Sequence, residues 1–172
     1  LKRKREKINF CLVGEPTNPD KLGEMIKIGR RGSINGKLKV IGENCHVAYP
    51  HRGNNPSTSL VKILNEIKSL KFDKGNKHFQ PTNLEVTKIS IDNCADNIIP
   101  ETAEASFNIR FNNLHSSSSL KKKLNKIFKK ICRKNKSKYE IKYRVSGESF
   151  LSKPNKTTFM IQNIIKKITK IK

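Results

Sequence analysis

Four short polar stretches are coupled to turns and could carry chemistry: "GEPT" (14–17), "GRRGS" (29–33), "CHVAYPH" (45–51) and "DNIIP" (96–100). To these belong Arg110, inside an alternating run, and "SGESFL" (146–151). Glu15 follows an apolar run, at the carboxyl end where open α/β sheets place their sites. A carboxylate there can ligate a hard or borderline metal, or it can simply accept bonds from the N–H groups of its own turn. Arg30 and Arg31 stand between glycines at a strand start. Their planar forks suit carboxylates, or they lie free in solvent. His46 and His51 share one turn in a chain with 4 histidines. They are acid–base groups or hydrogen-bond donors in one reading, and turn-satisfying residues in the other. No Ser/His/Asp order and no phosphate-cradling glycine loop is present.

The elements that would position these groups follow from periodicity. "INFCLVG" (8–14) is a nearly continuous apolar run before a Gly-Glu-Pro turn, which predicts a buried parallel strand. "SINGKLKVIG" (33–42) alternates. "STSLVKILNEIKSL" (57–70) sets Leu60, Ile63, Leu64 and Ile67 on one helical stripe. "LEVTKISI" (84–91) and "AEASFNIRF" (103–111) alternate as strands, "SLKKKLNKIFKKICRK" (119–134) is an amphipathic helix, and "YEIKYRV" (139–145) is a further strand. The order β-α-β-β-α-β from about 30 to 146 predicts an α+β, ferredoxin-like split βαβ unit, an antiparallel sheet with both helices on one face. Residues 1–29 and 147–172, the latter helical from Thr157, fall outside that pattern and resemble the cut ends of another domain.

Composition narrows the function classes. The formal net charge is +23, which ordinarily suggests a polyanion partner. The basic residues are mostly lysine, however, and on "KKKLNKIFKK" they occupy the positions that an amphipathic helix leaves in water, with no aromatic platform among them. A solvated face and no nucleic-acid partner are expected. The cysteines Cys11, Cys45, Cys94 and Cys132 stand far apart without a CxxC spacing and read as reduced thiols of a cytoplasmic protein. No apolar run reaches membrane-spanning length, and no signal peptide is visible.

Taken in order and spacing, "CLVGEPT", "IGRRGSINGKLKVIG", "HVAYPH", "NIIP", "FNIRF" and "SGESFL" resemble the dizinc aminoacylase/carboxypeptidase family of metallohydrolases over essentially the whole chain. "GRRGS" with "HVAYPH" points to the branch that hydrolyses N-succinyl-LL-2,6-diaminopimelate. The resemblance implies that a ferredoxin-like lid, which also forms a homodimer, is inserted into a zinc-binding catalytic domain. Residues 1–29 would then end the first half of that domain, 30–146 would be the lid, and 147–172 would begin the second half.

The resemblance also implies roles. Glu15 would ligate one of two zinc ions, with cobalt as a substitute. His46 would reach into the partner's active site and stabilise the oxyanion, joined by Asn97. Arg30, Ser33, Tyr49, Arg110, Ser146 and Gly147 match positions around the substrate, and His51 would support the turn. A tricarboxylate substrate needs several fixed cations, and Arg30 and Arg110 are rare arginines in a lysine-rich chain. The remaining metal ligands and the general base are absent, so this chain alone is expected to be inactive. Cys45 stands where the family usually has glycine, and the glycine-rich loop before Asn97 reads "DNCAD". The alternatives are a sister deacylase, such as an acetylornithine deacetylase or aminoacylase, and a ferredoxin-like RNA-binding module. The RNA reading requires aromatics on the open face of the sheet.

Overall fold

The computed structural model describes residues 7, 10–14, 18–92 and 95–170. The strands are β1 (Gly29–Arg30), β2 (Gly32–Ile41), β3 (Cys45–His46), β4 (Asn83–Ser90), β5 (Ile98–Ile99), β6 (Thr102–Phe111), β7 (Lys138–Gly147) and β8 (Phe150–Leu151). The helices are α1 (Pro56–Lys68), α2 (Ser117–Lys134) and α3 (Lys156–Thr169), with a single 3-10 turn over Pro50–Arg52. The four long strands form one antiparallel sheet in the order β4-β6-β2-β7. With one helix after the first long strand and another after the third, this is the ferredoxin-like arrangement expected from the sequence.

Strand alternation divides the sheet into two faces. Ile34, Leu38 and Val40 of β2 and Ala103, Ala105, Phe107, Ile109 and Phe111 of β6 are buried on the helix side. α1 closes on them through Leu60, Ile63 and Ile67, and α2 through Leu120, Leu124, Phe128 and Cys132, each set spaced for one helical stripe. Gly36 has no Cβ because the Phe107 ring lies across its position. Truncating Phe107 or Phe128, both almost completely buried, would cost about 3–5 kcal/mol. α1 starts where the Asn55 side chain accepts the Ser57 N–H at 2.9 Å, with Pro56 in its first turn. Ser116 and Ser119 form a reciprocal capping box at the start of α2.

The chain divides into two compact units, Gly29–Leu151 and the segments on either side of it, up to Ile28 and from Ser152. The first unit runs past residue 146 because β7 continues to Gly147 and β8 pairs antiparallel with β1. In the second unit the Ser152 N–H donates to the Ile28 carbonyl at 2.7 Å, and α3 carries an Asn155/Thr158 capping box. Residues 10–14 of "INFCLVG", expected as part of a buried strand, belong to no strand among the described residues, and Phe10, Leu12 and Val13 are 62–68% exposed in this chain. A parallel strand exists only beside a neighbour that takes its hydrogen bonds, and none of the described residues pairs with this segment. Among the described residues no helix is long and apolar enough to cross a membrane.

Candidate functional site

The sequence-predicted site residues fall into two groups, one at each end of β2. The first group lies where β2 begins. One sheet row runs Asn83, Arg110, Ser33 and Gly147, each directly opposite the next across β4, β6, β2 and β7. Their neighbours Ile34 and Ile109 are buried under the helices, so alternation puts Ser33 and Arg110 on the open face. A β-bulge at Ser146 breaks the β7 ladder here and leaves Ser146 exposed. A Cβ on Gly147 would lie 2.5 Å from Arg30 Nη2, so the guanidinium occupies the space that the glycine leaves open.

The two adjacent arginines have different roles. Arg31 donates to Asn83 Oδ1 at 3.1 Å and to the Pro81 carbonyl at 3.4 Å, tying the approach to β4 onto the start of β2. Arg30 and Arg110 take part in none of the ion pairs among the described residues, which are Lys39–Glu104, Lys68–Glu85 and His115–Asp73. Two exposed guanidinium-bearing residues flanking a serine hydroxyl form a cradle suited to carboxylate oxygens.

A buried carboxylate secures this end of the sheet. Asp73 accepts from the Gly75 N–H at 2.6 Å, the Thr82 N–H at 3.2 Å, Asn112 Nδ2 at 2.7 Å and His115 Nε2 at 3.0 Å. Burial pushes its carboxyl up, but the hydrogen bonds from Thr82, Gly75 and Asn112 outweigh that and hold it down at about 2. It thereby joins the loop before β4 to the turn after β6.

The second group lies where β2 ends. Cys45 and His46 of β3 pair with Ile99 and Ile98 of β5, and the Val47 N–H donates to the Asn97 carbonyl at 2.9 Å. His46 Nδ1 accepts the Ala48 N–H at 3.1 Å, so the neutral ring carries its proton on Nε2. The Asn97 side-chain nitrogen is 3.5 Å from that Nε2. Both groups can therefore offer an N–H at this point, the kind of donor pair from which an oxyanion could accept. Tyr49 stacks at 6.0 Å from His46 and 6.3 Å from His51, with the Arg52 guanidinium 5.1 Å above its ring.

The structure therefore brings His46, Asn97 and Tyr49 together at one end and Arg30, Ser33, Arg110, Ser146 and Gly147 together at the other. It does not join the two groups: ten residues of β2 separate them, roughly 30 Å at ~3.4 Å per residue. Glu15 lies outside the described residues. Among the described residues no three His, Cys, Asp or Glu side chains are placed to hold a metal ion. Cys11, Cys45 and Cys132 are free thiols. The sequence reading missed Asn108, which bridges Ser33 and Asn35, and the Asp73 clasp. Asn108 looks like any outward polar residue of an alternating strand, and Asp73 like any loop aspartate. The aromatics Phe107 and Phe111 lie on the helix side, so the open face lacks the stacking platform that would have favoured RNA.

Comparison with known proteins agrees with this fold. Residues 28–136 match the peptidase dimerisation domain family. The chain is 75% identical, over all its 172 residues, to a succinyl-diaminopimelate desuccinylase of Pelagibacter ubique, of which it covers 45%. It is 50% identical over 96% of its length to the protein of that name from Rickettsia bellii, covering 42% of it. The chain thus spans less than half the length of these relatives. Among solved structures, a tripeptidase from Staphylococcus aureus superposes with a TM-score of 0.70 at 17% identity, over 84% of this chain and 37% of that one. The aminopeptidase PepT of Bacillus cereus gives 0.67 at 12% identity, over 82% and 36%. At such identities the structural likeness speaks for the fold.

Proposed function

The chain belongs to the peptidase dimerisation domain family, and on that premise we propose that it is the lid and dimerisation part of a metal-dependent amide hydrolase. The proposed reaction cleaves N-succinyl-LL-2,6-diaminopimelate to succinate and LL-2,6-diaminopimelate, a step of lysine and diaminopimelate biosynthesis in the cytoplasm. The observation that carries this reading is the separation of the two groups along β2. An anion cradle and a pair of oxyanion donors about 30 Å apart cannot serve one site in one copy. In a homodimer His46 and Asn97 of one subunit complete the site whose carboxylates Arg30, Ser33 and Arg110 of the other subunit hold. Tyr49, Ser146 and Gly147 line those two halves.

The lid offers two sheet edges for such a dimer. α2, above β7, turns a purely cationic face outward, including Lys126, Lys129, Lys130, Arg133 and Lys134. An isologous contact would set those charges against themselves. The other edge carries exposed Val61 on α1 with Ile89 and Ile91 on and after β4, and it is the edge we assign to the interface.

Among the described residues no three ligands come together, and Glu15 is the residue that would contribute to holding the two zinc ions. Those ions would activate the attacking water. What the chain itself does is bind carboxylates and donate hydrogen bonds to the developing oxyanion.

The test uses the full-length protein that contains this chain. It should release succinate from N-succinyl-LL-2,6-diaminopimelate far faster than it deacylates N-acetylornithine, and it should lose activity to a chelator. The 172-residue chain alone should be inactive. A preference for N-acetylornithine would move the reading to the sister deacylase. Full activity of the 172-residue chain would overturn the division of labour.

A further inference from the structure

The open face of the sheet carries a second polar layer one row inward from the anion cradle. Asn108 on β6 lies directly opposite Asn35 on β2, as Arg110 lies opposite Ser33. The Asn108 side-chain nitrogen donates to Asn35 Oδ1 at 2.9 Å and to Ser33 Oγ at 3.2 Å. Ser33 is only 6% exposed. A hydroxyl has one proton and two lone pairs. Because Asn108 fills one lone pair of Ser33 Oγ, the hydroxyl proton is directed elsewhere, and Asn35 keeps the Asn108 amide from turning its oxygen toward the serine.

We infer that Asn108 is a positioning residue: held by Asn35, it fixes the Ser33 hydroxyl as a donor toward a carboxylate bound between Arg30 and Arg110. This rests on the reading of that row as a carboxylate site. Arg110 and Arg30 supply charge but sit on flexible stems. Ser33, on the central strand beside both, would supply the one short, rigid donor of the cradle. A carboxylate accepts such a bond, so the directed proton adds to the preference for an anion that the two guanidinium groups already give this position.

The test is binding of propane-1,2,3-tricarboxylate by the 172-residue chain, followed through the side-chain Nε–H resonances of Arg30 and Arg110. Asn108→Ala and Ser33→Ala should each weaken binding about tenfold, the range for a lost bond to a charged group. The double variant should be no worse than either single one, because Asn108 acts through Ser33. Asn108→Asp, which only accepts when ionised and so draws the hydroxyl inward, should weaken binding more than Asn108→Ala. Thermal unfolding of each variant separates loss of the cradle from loss of the fold. Fully additive losses, or unchanged binding in a folded Asn108→Ala, would overturn the inference. So would absence of tricarboxylate binding in the unsubstituted chain. That last result would leave the proposed reaction standing if the full-length protein still released succinate.

Discussion

The two ends of β2 are built in different ways. At its start, Arg110, Ser33, Gly147 and Asn83 occupy one row of a four-stranded sheet, so their spacing is set by ladder hydrogen bonds. At its end, His46 and Asn97 sit on two-residue strands and adjoining turns, and His46 is oriented by the N–H of Ala48. A cradle that must match fixed charges gains from a stiff frame. A donor that must meet chemistry on another subunit gains from a short projecting loop, whose position settles when the subunits dock. On the proposed function, substrate binding belongs to the rigid end and rate to the projecting end.

Kinetic variants of the proposed full-length enzyme can break that division, and the largest effect is expected at the projecting end. His46→Ala should lower kcat about 100–1,000-fold with little change in KM, as loss of one oxyanion donor does. Mixing His46→Ala subunits with Glu15→Ala subunits should restore part of the activity once subunits exchange, since one site of the heterodimer then keeps both groups. At the rigid end, Arg110→Ala should instead raise KM about 10–100-fold and leave kcat close to unchanged. If Arg110→Ala struck kcat and His46→Ala struck KM, the comparison would be reversed.

A smaller effect is expected from acid. The Asp73 carboxyl titrates at about 2 in the folded chain and at 3.8 without its partners. A depressed pKa means that the stabilisation is complete above about pH 4 and is lost as pH falls through 3.8 toward 2, about 2 kcal/mol in all. Hydrogen exchange in 73–83 and 112–115 should therefore rise in that window before the contacts of His46 loosen. Asp73→Asn should be less stable at pH 7 and lack this acid step. Smallest of all, Gly147→Ala should push the Arg30 guanidinium aside and raise KM several-fold. Its melting temperature should hardly move, because the atom in the way is the far end of a flexible side chain.

Most of the lid was legible because its strands alternate and its helices repeat with one apolar stripe. Ile34, Leu38 and Val40 announce a half-buried strand by themselves, and Leu120, Leu124 and Phe128 announce a helix face. What escaped was non-local. Arg30 and Arg31 are neighbours with the same side chain, and only the fold shows that Arg31 is committed to Asn83 while Arg30 lies over Gly147. Asn108 acquires its role from residues 73 and 75 positions away. The grouping of His46 with Asn97 was legible only through resemblance, since turns of two or three residues carry no period.

β2 also constrains how this gene can vary. Its ten residues act as a ruler with a working group at each end. Substitutions along its open face leave the ruler intact. Loss of a single residue would turn every later side chain to the wrong face. Loss of two would restore the faces but shorten the ruler by roughly 7 Å, enough to carry a hydrogen-bond donor out of reach of its target. Insertions and deletions in this strand should therefore be purged from natural variants far more strictly than point changes.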